Sequence, residues 1–355
     1  MLASYLPPHP NRCYAQTDMP NNRQWRLAAR PTGLPTDSVW QWTETPIAEP
    51  AEGEVQVRVQ YISLDPAMRG WMNDGKSYLP PVPLGDVMRA GGLGEVVASR
   101  HPAFNPGDQV TGMLGVQDYV NIAPGGPRGM AKIDPRIQPV TVWLSALGMV
   151  GMTAYFGLLD ICSPKEGETV VVSAAAGAVG SLVGQIAKIK GCRVIGIAGG
   201  AEKCRFIVEE RGFDAAIDYK SEDVRAALEK HCPKGIDVYF DNVGGSILEA
   251  VLANLARKAR ISICGAISQY NATDAMAGPR NYMSLLVSRA RMEGFLVMDY
   301  GARFPEAIKE MSGWISAGKL KSREDVYEGL ENFPSVFLKL FRGDNAGKLL
   351  LKIAG

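Results

Sequence analysis

The stretch TVVVSAAAGAVGSLVGQIAKIKG, residues 169–191, decides the fold that this sequence predicts. It opens with a β-branched run, 169–172, which is typical of a strand buried on both faces. A turn of small residues follows, and apolar residues then recur at helical spacing until Gly191 ends the helix. A second apolar run, Val194–Ala198, comes next. Strand, turn, helix and strand together form the first βαβ unit of a doubly wound, parallel, dinucleotide-binding sheet.

The turn between this strand and this helix has the form AxxGxxG, with Ala174 where the pattern GxGxxG has its first glycine. Its small residues let the backbone approach a pyrophosphate, and Gly180 lets the helix pack closely on its strand. The free N–H groups and the dipole of the first helical turn both favour a phosphate there. Many glycine-containing turns bind nothing, but the strand–helix–strand setting favours a dinucleotide site.

The end of the second strand distinguishes NADPH from NADH. An NAD enzyme usually places an acid about 20 residues after the glycines, where it binds the ribose hydroxyls. Here the strand ends in GGAEKCR, residues 199–205, with no acid at the tip and with positive charge from Lys203 and Arg205. These residues predict a site for the 2′-phosphate of NADPH. The alternative is that Lys203 only faces solvent at a helix start, with Glu202 offsetting its charge.

Composition excludes several classes of protein. The 355 residues suffice for two domains, the net charge is +1, and 46% of the residues are hydrophobic. Basic residues are dispersed, which argues against a nucleic-acid partner. No run approaches the roughly 20 apolar residues that span a membrane. The six cysteines and three histidines are scattered, so we expect no metal site, no disulfide framework and a reducing cytoplasm.

The chain divides into a β-rich part and a βαβ part. Residues 1–22 are predicted to be an N-terminal extension, and residues 23–144 a substrate and catalytic domain built as a small barrel or sandwich. Clean alternation over 54–61 indicates one of its antiparallel strands. Residues 145–318 form the predicted α/β cofactor-binding domain, and 319–355 are expected to return and complete the first domain. A helix is predicted over about 142–159 and a sixth strand of the parallel sheet over 292–297.

Five motifs, in this order, carry a resemblance to a known family: LDPAMRG at 64–70, AAAGAVGS at 174–181, FDNVGG at 240–245, CGAISQYN at 264–271 and GDNAGK at 343–348. The chain resembles the zinc-independent medium-chain dehydrogenase/reductases. Among these it is similar to the group of prostaglandin reductases, 2-alkenal reductases and NADPH-dependent curcumin reductases. The resemblance implies a GroES-like β-barrel domain, a Rossmann domain with a parallel sheet, and a homodimer.

The resemblance also implies a set of NADPH-binding residues. The pyrophosphate would be bound by Gly177, Ala178, Val179 and Gly180, and the 2′-phosphate by Lys203 and Tyr219. The cofactor cleft would be lined by Asn242, Cys264, Gly265, Ala266, Ile267, Ser268 and Tyr270. The nicotinamide would lie beside Phe295, Leu296 and Val297, with Asn345 closing the site. Many relatives have Tyr where this chain has Ala67, which changes one wall of the substrate pocket.

The zinc-dependent relatives carry a Gly-His-Glu motif and a four-cysteine lobe, which this sequence lacks. The expected reaction is therefore reduction of the C=C bond of an α,β-unsaturated aldehyde or ketone, with hydride added at the β-carbon and an enolate then protonated. A donor to the carbonyl oxygen lowers such a barrier by roughly 3 kcal/mol. Tyr270 is the predicted catalytic donor, unless it only packs against the nicotinamide ribose. Tyr61 and Tyr78 are weaker candidates, and Asp65 with Arg69 is expected to form a structural ion pair or a turn cap.

Two alternatives remain open at this point. A quinone oxidoreductase on the same fold would keep the cofactor motifs and differ only in the pocket. A non-catalytic relative would lose the cofactor contacts.

Overall fold

The computed structural model describes residues 21–125, 129–274 and 278–353. Of the predicted extension 1–22, only Asn21 and Asn22 lie in these ranges, and they open the first strand. Asn22 is fixed there because its side-chain amide donates to the Tyr119 carbonyl at 2.8 Å and its Oδ1 accepts the Tyr119 N–H at 2.9 Å. The domain limits at 22/23, 144/145 and 318/319 stay predictions.

The first half is β-rich. Its strands are β1 (Asn21–Leu27), β2 (Trp40–Pro46), β3 (Val55–Ser63), β4 (Gly91–Ser99), β5 (Gln109–Gly112), β6 (Tyr119–Ile122) and β7 (Met130–Lys132), and one short helix, α1 (Ala67–Trp71), follows β3. The alternation predicted at 54–61 is confirmed, because Val55, Val57 and Val59 of β3 are fully buried. β3 is central, pairing with β4 and β6.

The second half is the predicted Rossmann sheet. Its strands are β8 (Thr169–Ser173), β9 (Arg193–Ala198), β10 (Ala215–Asp218), β11 (Ile236–Asp241), β12 (Leu255–Ile263) and β13 (Arg291–Gly294). In the described chain these six strands are parallel and lie in the order β10-β9-β8-β11-β12-β13, the doubly wound order. The helices are α2 (Met149–Phe156), α3 (Ala178–Ile189), α4 (Ala201–Arg205), α5 (Val224–His231), α6 (Gly245–Leu252), α7 (Met283–Ser288) and α8 (Phe304–Ser316).

Two local predictions were wrong. A continuous helix expected over 142–159 is broken, because the chain folds back so tightly that a Cβ at Gly148 would lie 2.2 Å from the Trp143 carbonyl oxygen. The sixth strand, expected over 292–297, ends at Gly294, and a 3₁₀ segment starts at Val297.

The tail adds β14 (Glu324–Glu328), α9 (Phe333–Arg342) and β15 (Lys348–Lys352). β15 pairs in parallel with β14 and antiparallel with β3, so the tail joins the sheet of the first half. The fold is therefore α/β, with a β-rich domain and a Rossmann domain whose parallel strands end at a common edge.

Candidate active site

The turn after β8 has a closed geometry. Ala174 has φ of +48°, in the left-handed region, at the position where GxGxxG has a glycine. That conformation costs an L-residue roughly 1–2 kcal/mol. A Cβ at Gly180 would lie only 2.3 Å from the Ala174 carbonyl oxygen, so no larger residue fits there. The backbone of this turn therefore requires the small residues that the sequence analysis singled out.

α3 begins at this turn. Its N-cap residue is Gly177, so no side chain caps the start of the helix. The N–H groups of Ala178, Val179 and Gly180 lie in its first turn, where an α-helix has no internal acceptor for them. These donors and the positive end of the helix dipole suit an anion. The residues predicted to bind the pyrophosphate thus share one helix end.

The tail lies directly on this turn. The Gly347 N–H donates to the Ala176 carbonyl at 3.0 Å, and Gly347 forms a parallel bridge with Gly177. Asn345 donates its side-chain amide to the Gly347 carbonyl at 3.1 Å. The structure therefore brings the motif at 343–348 against the motif at 174–181.

Lys203 is half-buried and also contacts the tail. Its ammonium group donates to the carbonyl oxygens of Gly343 at 2.7 Å and Asn345 at 2.6 Å. Burial first, and then the positive charge of Lys220, lower the pKa of Lys203. An anion bound beside the two lysines would offset both effects. Lys220, which the sequence analysis missed, is thus a second cation near the end of β9.

Tyr219 lies at the same end of β9. A Cβ at Gly199 would lie 2.8 Å from the Tyr219 hydroxyl, so the ring covers the strand end. The neighbouring carboxylate of Asp218 accepts the N–H groups of Gly200 at 2.7 Å and Lys220 at 3.0 Å. That acid therefore stabilises a turn, and the end of β9 presents lysine and tyrosine side chains.

Asp241 organises the middle of the cleft and was also missed. It ends β11, is 1% exposed, and accepts the Tyr239 hydroxyl at 2.8 Å and the Gly244 N–H at 2.8 Å on Oδ1. Its own carbonyl accepts the N–H groups of Cys264 at 2.9 Å and Gly265 at 3.1 Å. Burial raises the pKa of Asp241, against the effect of these donors. An acid directly after a buried parallel strand was the signal that could have identified it.

The predicted cleft residues meet around Asp241. Asn242 donates its amide to the Ser173 carbonyl at 2.8 Å, and its own carbonyl accepts the Ile267 N–H at 3.2 Å. Ser268 donates its hydroxyl to the Val243 carbonyl at 2.6 Å. The turn after β11 and the segment after β12 are therefore held side by side.

Tyr270 points back at this segment. Its hydroxyl oxygen accepts the Ala266 N–H at 3.2 Å, and a Cβ at Gly265 would lie 2.7 Å from that oxygen. Burial raises the pKa of Tyr270, and the negative charges of ionised Cys264 and Tyr78 would raise it further. Burial also raises the pKa of the Cys264 thiol to about 12. Tyr270, Cys264 and Tyr78 are thus close enough to interact electrostatically, although Tyr78 comes from the first half of the chain.

Tyr78 is half exposed, and its hydroxyl oxygen accepts the Trp71 indole N–H at 3.1 Å. Burial raises its pKa, and the Trp71 N–H opposes that shift. Tyr78 therefore belongs to the cleft, whereas Tyr61 pairs within β3 and β4, as a strand residue does.

Phe295 packs against Gly157 and Phe240. A Cβ at Gly157 would lie 2.4 Å from its ring, which is T-shaped against Phe240 at a centroid distance of 6.4 Å. Phe295, Val297 and Cys264 border the same buried cluster. Leu296 accepts the Asp299 N–H at 3.0 Å. The place of 295–297 beside a nicotinamide stays a prediction.

The expected pair of Asp65 and Arg69 is wrong. Asp65 instead binds the ammonium group of Lys348 at 2.7 Å, and Lys348 is only 1% exposed. Arg69 donates to carbonyl and amide oxygens, among them Gly33 O at 2.8 Å and Asn271 Oδ1 at 2.9 Å. β15 pairs with β3 and thereby brings Lys348 to Asp65. The short spacing of Asp65 and Arg69 gave no indication of this long-range partner.

Two family models match the chain, one described as the N-terminal domain of oxidoreductase over residues 23–129 and one described as zinc-binding dehydrogenase over residues 178–313. Within residues 21–125, 129–274 and 278–353, no three His, Cys, Asp or Glu side chains are grouped so as to hold a metal ion. The described residues therefore offer no ligand set for zinc.

The chain is 48% identical to the NADPH-dependent curcumin reductase of Escherichia coli over 339 residues, which cover 94% of this chain and 97% of that one. It is 42% identical to the 2-alkenal reductase (NADP(+)-dependent) of Nicotiana tabacum, covering 94% and 98% of the two chains. Among solved structures, CurA from Vibrio vulnificus in complex with NADPH matches with a TM-score of 0.89 and 46% identity, covering 94% and 99%.

Proposed function

Because this chain belongs to the medium-chain dehydrogenase/reductase family and to its zinc-independent group, we propose that it is an NADPH-dependent reductase of C=C bonds conjugated to a carbonyl group. Tyr270 carries this proposal, since its hydroxyl oxygen accepts the Ala266 N–H and keeps its own proton for a ligand. The names of the curcumin and 2-alkenal reductases at 48% and 42% identity support the same chemistry.

The cofactor of this reaction is NADPH, which supplies a hydride to the β-carbon of the substrate. The first-turn N–H groups of Ala178, Val179 and Gly180 fit its pyrophosphate. Gly177, whose own N–H donates to the Ala174 carbonyl at 2.9 Å, would line the turn against it. Lys203, Lys220 and Tyr219 fit its 2′-phosphate. Asn242, the segment 264–270, Phe295–Val297 and Asn345 complete its site in this proposal.

Tyr270 donates its proton as a hydrogen bond to the substrate's carbonyl oxygen, where negative charge develops. Such a donor contributes roughly 3 kcal/mol when it is aimed at the developing charge. A phenol with the ordinary pKa of about 10 is protonated at neutral pH, and burial raises the pKa of Tyr270 further. The donor is therefore present without a further proton transfer. The Tyr78 hydroxyl oxygen likewise accepts an N–H group, that of the Trp71 indole. In this proposal Tyr78 supplies a second hydroxyl from the opposite wall.

The test is a substrate panel with purified protein and NADPH: an enal, an enone, a para-quinone and a saturated ketone, plus a secondary alcohol with NADP. We expect loss of nicotinamide absorbance with the enal or enone and a saturated carbonyl product by mass spectrometry and NMR. Turnover of the quinone alone would replace the proposal by a quinone oxidoreductase. Failure to bind NADPH would overturn the enzyme assignment.

We further propose a homodimer formed through β13 and α7. Within the described ranges β13 has a neighbour, β12, on one side only. Beside it, α7 exposes Leu286 at 70% and Val287 at 73%, which is unusual for large apolar side chains. In light scattering, Leu286→Glu should give a monomer. Val326→Glu, on the edge strand β14 of the other sheet, should leave the mass unchanged; a monomeric parent protein would overturn the proposal.

No helix of the described chain is long and apolar enough to cross a membrane. The five cysteines in the described ranges are unpaired thiols, as a reducing compartment maintains them. Both observations support the proposal of a cytoplasmic enzyme, which cell fractionation would test.

A further inference from the structure

The short helix α1 contacts both walls of the cleft. It spans Ala67–Trp71, and its Arg69 and Trp71 are only 3% and 7% exposed. Trp71 donates its indole N–H to the hydroxyl oxygen of Tyr78 at 3.1 Å. That bond occupies one lone pair of the phenol oxygen and so constrains where the Tyr78 proton can point.

Arg69 extends in the other direction. Its Nε donates to Asn271 Oδ1 at 2.9 Å, and its Nη1 donates to Asn73 Oδ1 at 2.5 Å. Its Nη2 donates to the carbonyl oxygens of Gly33 at 2.8 Å and Pro31 at 3.3 Å. Burial lowers the pKa of Arg69. Hydrogen bonds to neutral oxygens offset the cost of burying its charge. A buried guanidinium with a fixed fork of donors holds its acceptors in a defined arrangement.

Asn271 directly follows Tyr270, so the Arg69 bond acts one residue from the proposed donor. The turn that Arg69 also holds packs on the same loop, since a Cβ at Gly33 would lie 3.6 Å from Cγ2 of Thr273. On its other side, the Tyr270 hydroxyl is held by the Ala266 N–H at 3.2 Å. The Tyr270 hydroxyl is thus held within the Rossmann domain, and the residue after Tyr270 is held by the first half of the chain.

We propose that α1 sets the separation of the two cleft hydroxyls, with Arg69 positioning Tyr270 through Asn271 and Trp71 positioning Tyr78. This inference rests on the proposed function, in which both hydroxyls face the substrate carbonyl. A misplacement of about 1 Å in a catalytic group can cost about a hundredfold in rate. Arg69 and Trp71 are positioning residues, because each acts through another side chain.

The test compares two amide acceptors of the same guanidinium. Asn271→Ala removes the acceptor that continues into Tyr270, whereas Asn73→Ala removes one that stays within the first half. With an enone substrate we expect Asn271→Ala to lower kcat about tenfold or more, as a displaced donor would, with KM and the NADPH Kd nearly unchanged. Asn73→Ala should retain kcat within about twofold on the same grounds. Equal effects of the two variants would overturn the proposal.

A second readout does not depend on turnover. The protein is labelled with 3-fluorotyrosine, and the resonances of residues 270 and 78 are assigned from the Tyr270→Phe and Tyr78→Phe variants. We expect Asn271→Ala to shift or broaden the resonance of residue 270, and Trp71→Phe to shift that of residue 78, with Asn73→Ala changing neither. An unchanged resonance at 270 in Asn271→Ala overturns the positioning role even where kcat falls. A shifted resonance in a protein that reduces no enone keeps the positioning role and rejects the proposed function.

Discussion

The proposed phosphate-binding turn, residues 174–180, and the proposed substrate cleft are built in opposite ways. The turn is made by consecutive residues, 174–180. Within this one loop the carbonyl oxygen of the strained Ala174 lies close to Gly180. The cleft joins Tyr78 and Tyr270, which are far apart in the chain and are held by Trp71, Arg69 and Ala266. A local site is encoded by spacing alone, whereas a site between domains depends on long-range pairing that no short motif contains.

The largest effect is expected in the turn, at Gly180. Gly180→Ala would place a Cβ 2.3 Å from the Ala174 carbonyl oxygen, so the helix must move away from the turn. We expect about 3 kcal/mol of destabilisation, at the upper end of overpacking costs, together with loss of NADPH binding and of activity. Thermal unfolding and cofactor titration measure both. The control is Gly313→Ala in α8, where a Cβ has open space and stability should not fall.

The cleft is tested by Tyr270→Phe. Removing the hydroxyl deletes the proposed hydrogen bond to the substrate oxygen but leaves the ring, so we expect kcat to fall about a hundredfold, as for an oxyanion-hole donor. The NADPH Kd and the melting temperature should stay close to those of the parent protein. Tyr61→Phe serves as the matched control. A full kcat in Tyr270→Phe would mean that Tyr270 only packs against the cofactor.

Lys203 binds the tail segment that lies on the turn, so its removal tests the cofactor side of the comparison. The bond from a charged lysine to a 2′-phosphate is worth about 1.5–3 kcal/mol, and we expect Lys203→Ala to weaken NADPH binding by roughly ten- to a hundredfold. NADH, which lacks that phosphate, is the built-in control, and its Kd should change little. Equal losses for both cofactors would show that Lys203 acts only by holding Gly343 and Asn345.

The smallest effect is expected from pH. Burial raises the pKa of Tyr270, so its phenol stays protonated beyond the range of an exposed tyrosine. The proton-bearing donor is therefore fully present below the ordinary tyrosine pKa of about 10 and is lost only above it. We expect kcat for an enone to be flat from neutral pH to about pH 9. A fall of kcat near neutral pH in the parent protein, absent from Tyr270→Phe, would contradict this.

The doubly wound parallel sheet and the tight turn after β8 could be predicted because their signals are local. The β-branched run at 169–172 is typical of a strand buried on both faces, and its valines are fully buried. The tight turn over 174–180 accepts only small residues, which the sequence has there. Lys203 was predicted to bind the 2′-phosphate from its place after β9. Its bonds to Gly343 and Asn345 could not be predicted, because they join residues 140 and 142 positions apart.

The missed features all depend on tertiary pairing. Asp65 was expected to bind Arg69 in its own turn, but β15 brings the buried Lys348 to it. Asp241 accepts donors from β8, β11 and the turn after β11. The sequence shows an acid at the end of a buried strand, but not the donors that the fold brings to it. The helix expected over 142–159 is broken by close backbone approaches at Gly148 and Gly151, which helical periodicity does not register.

The bridge between Gly347 and the turn after β8 also determines when the fold can be completed during translation. β15 supplies the partner of β3, and Gly347 supplies the donor to Ala176, so each half of the molecule waits for residues 347–352. Until the ribosome has added them, positions 61–63 of β3 present an open strand edge, which can pair with another chain. The edge of β3 and the turn after β8 are therefore both completed only once residues 347–352 have been synthesised.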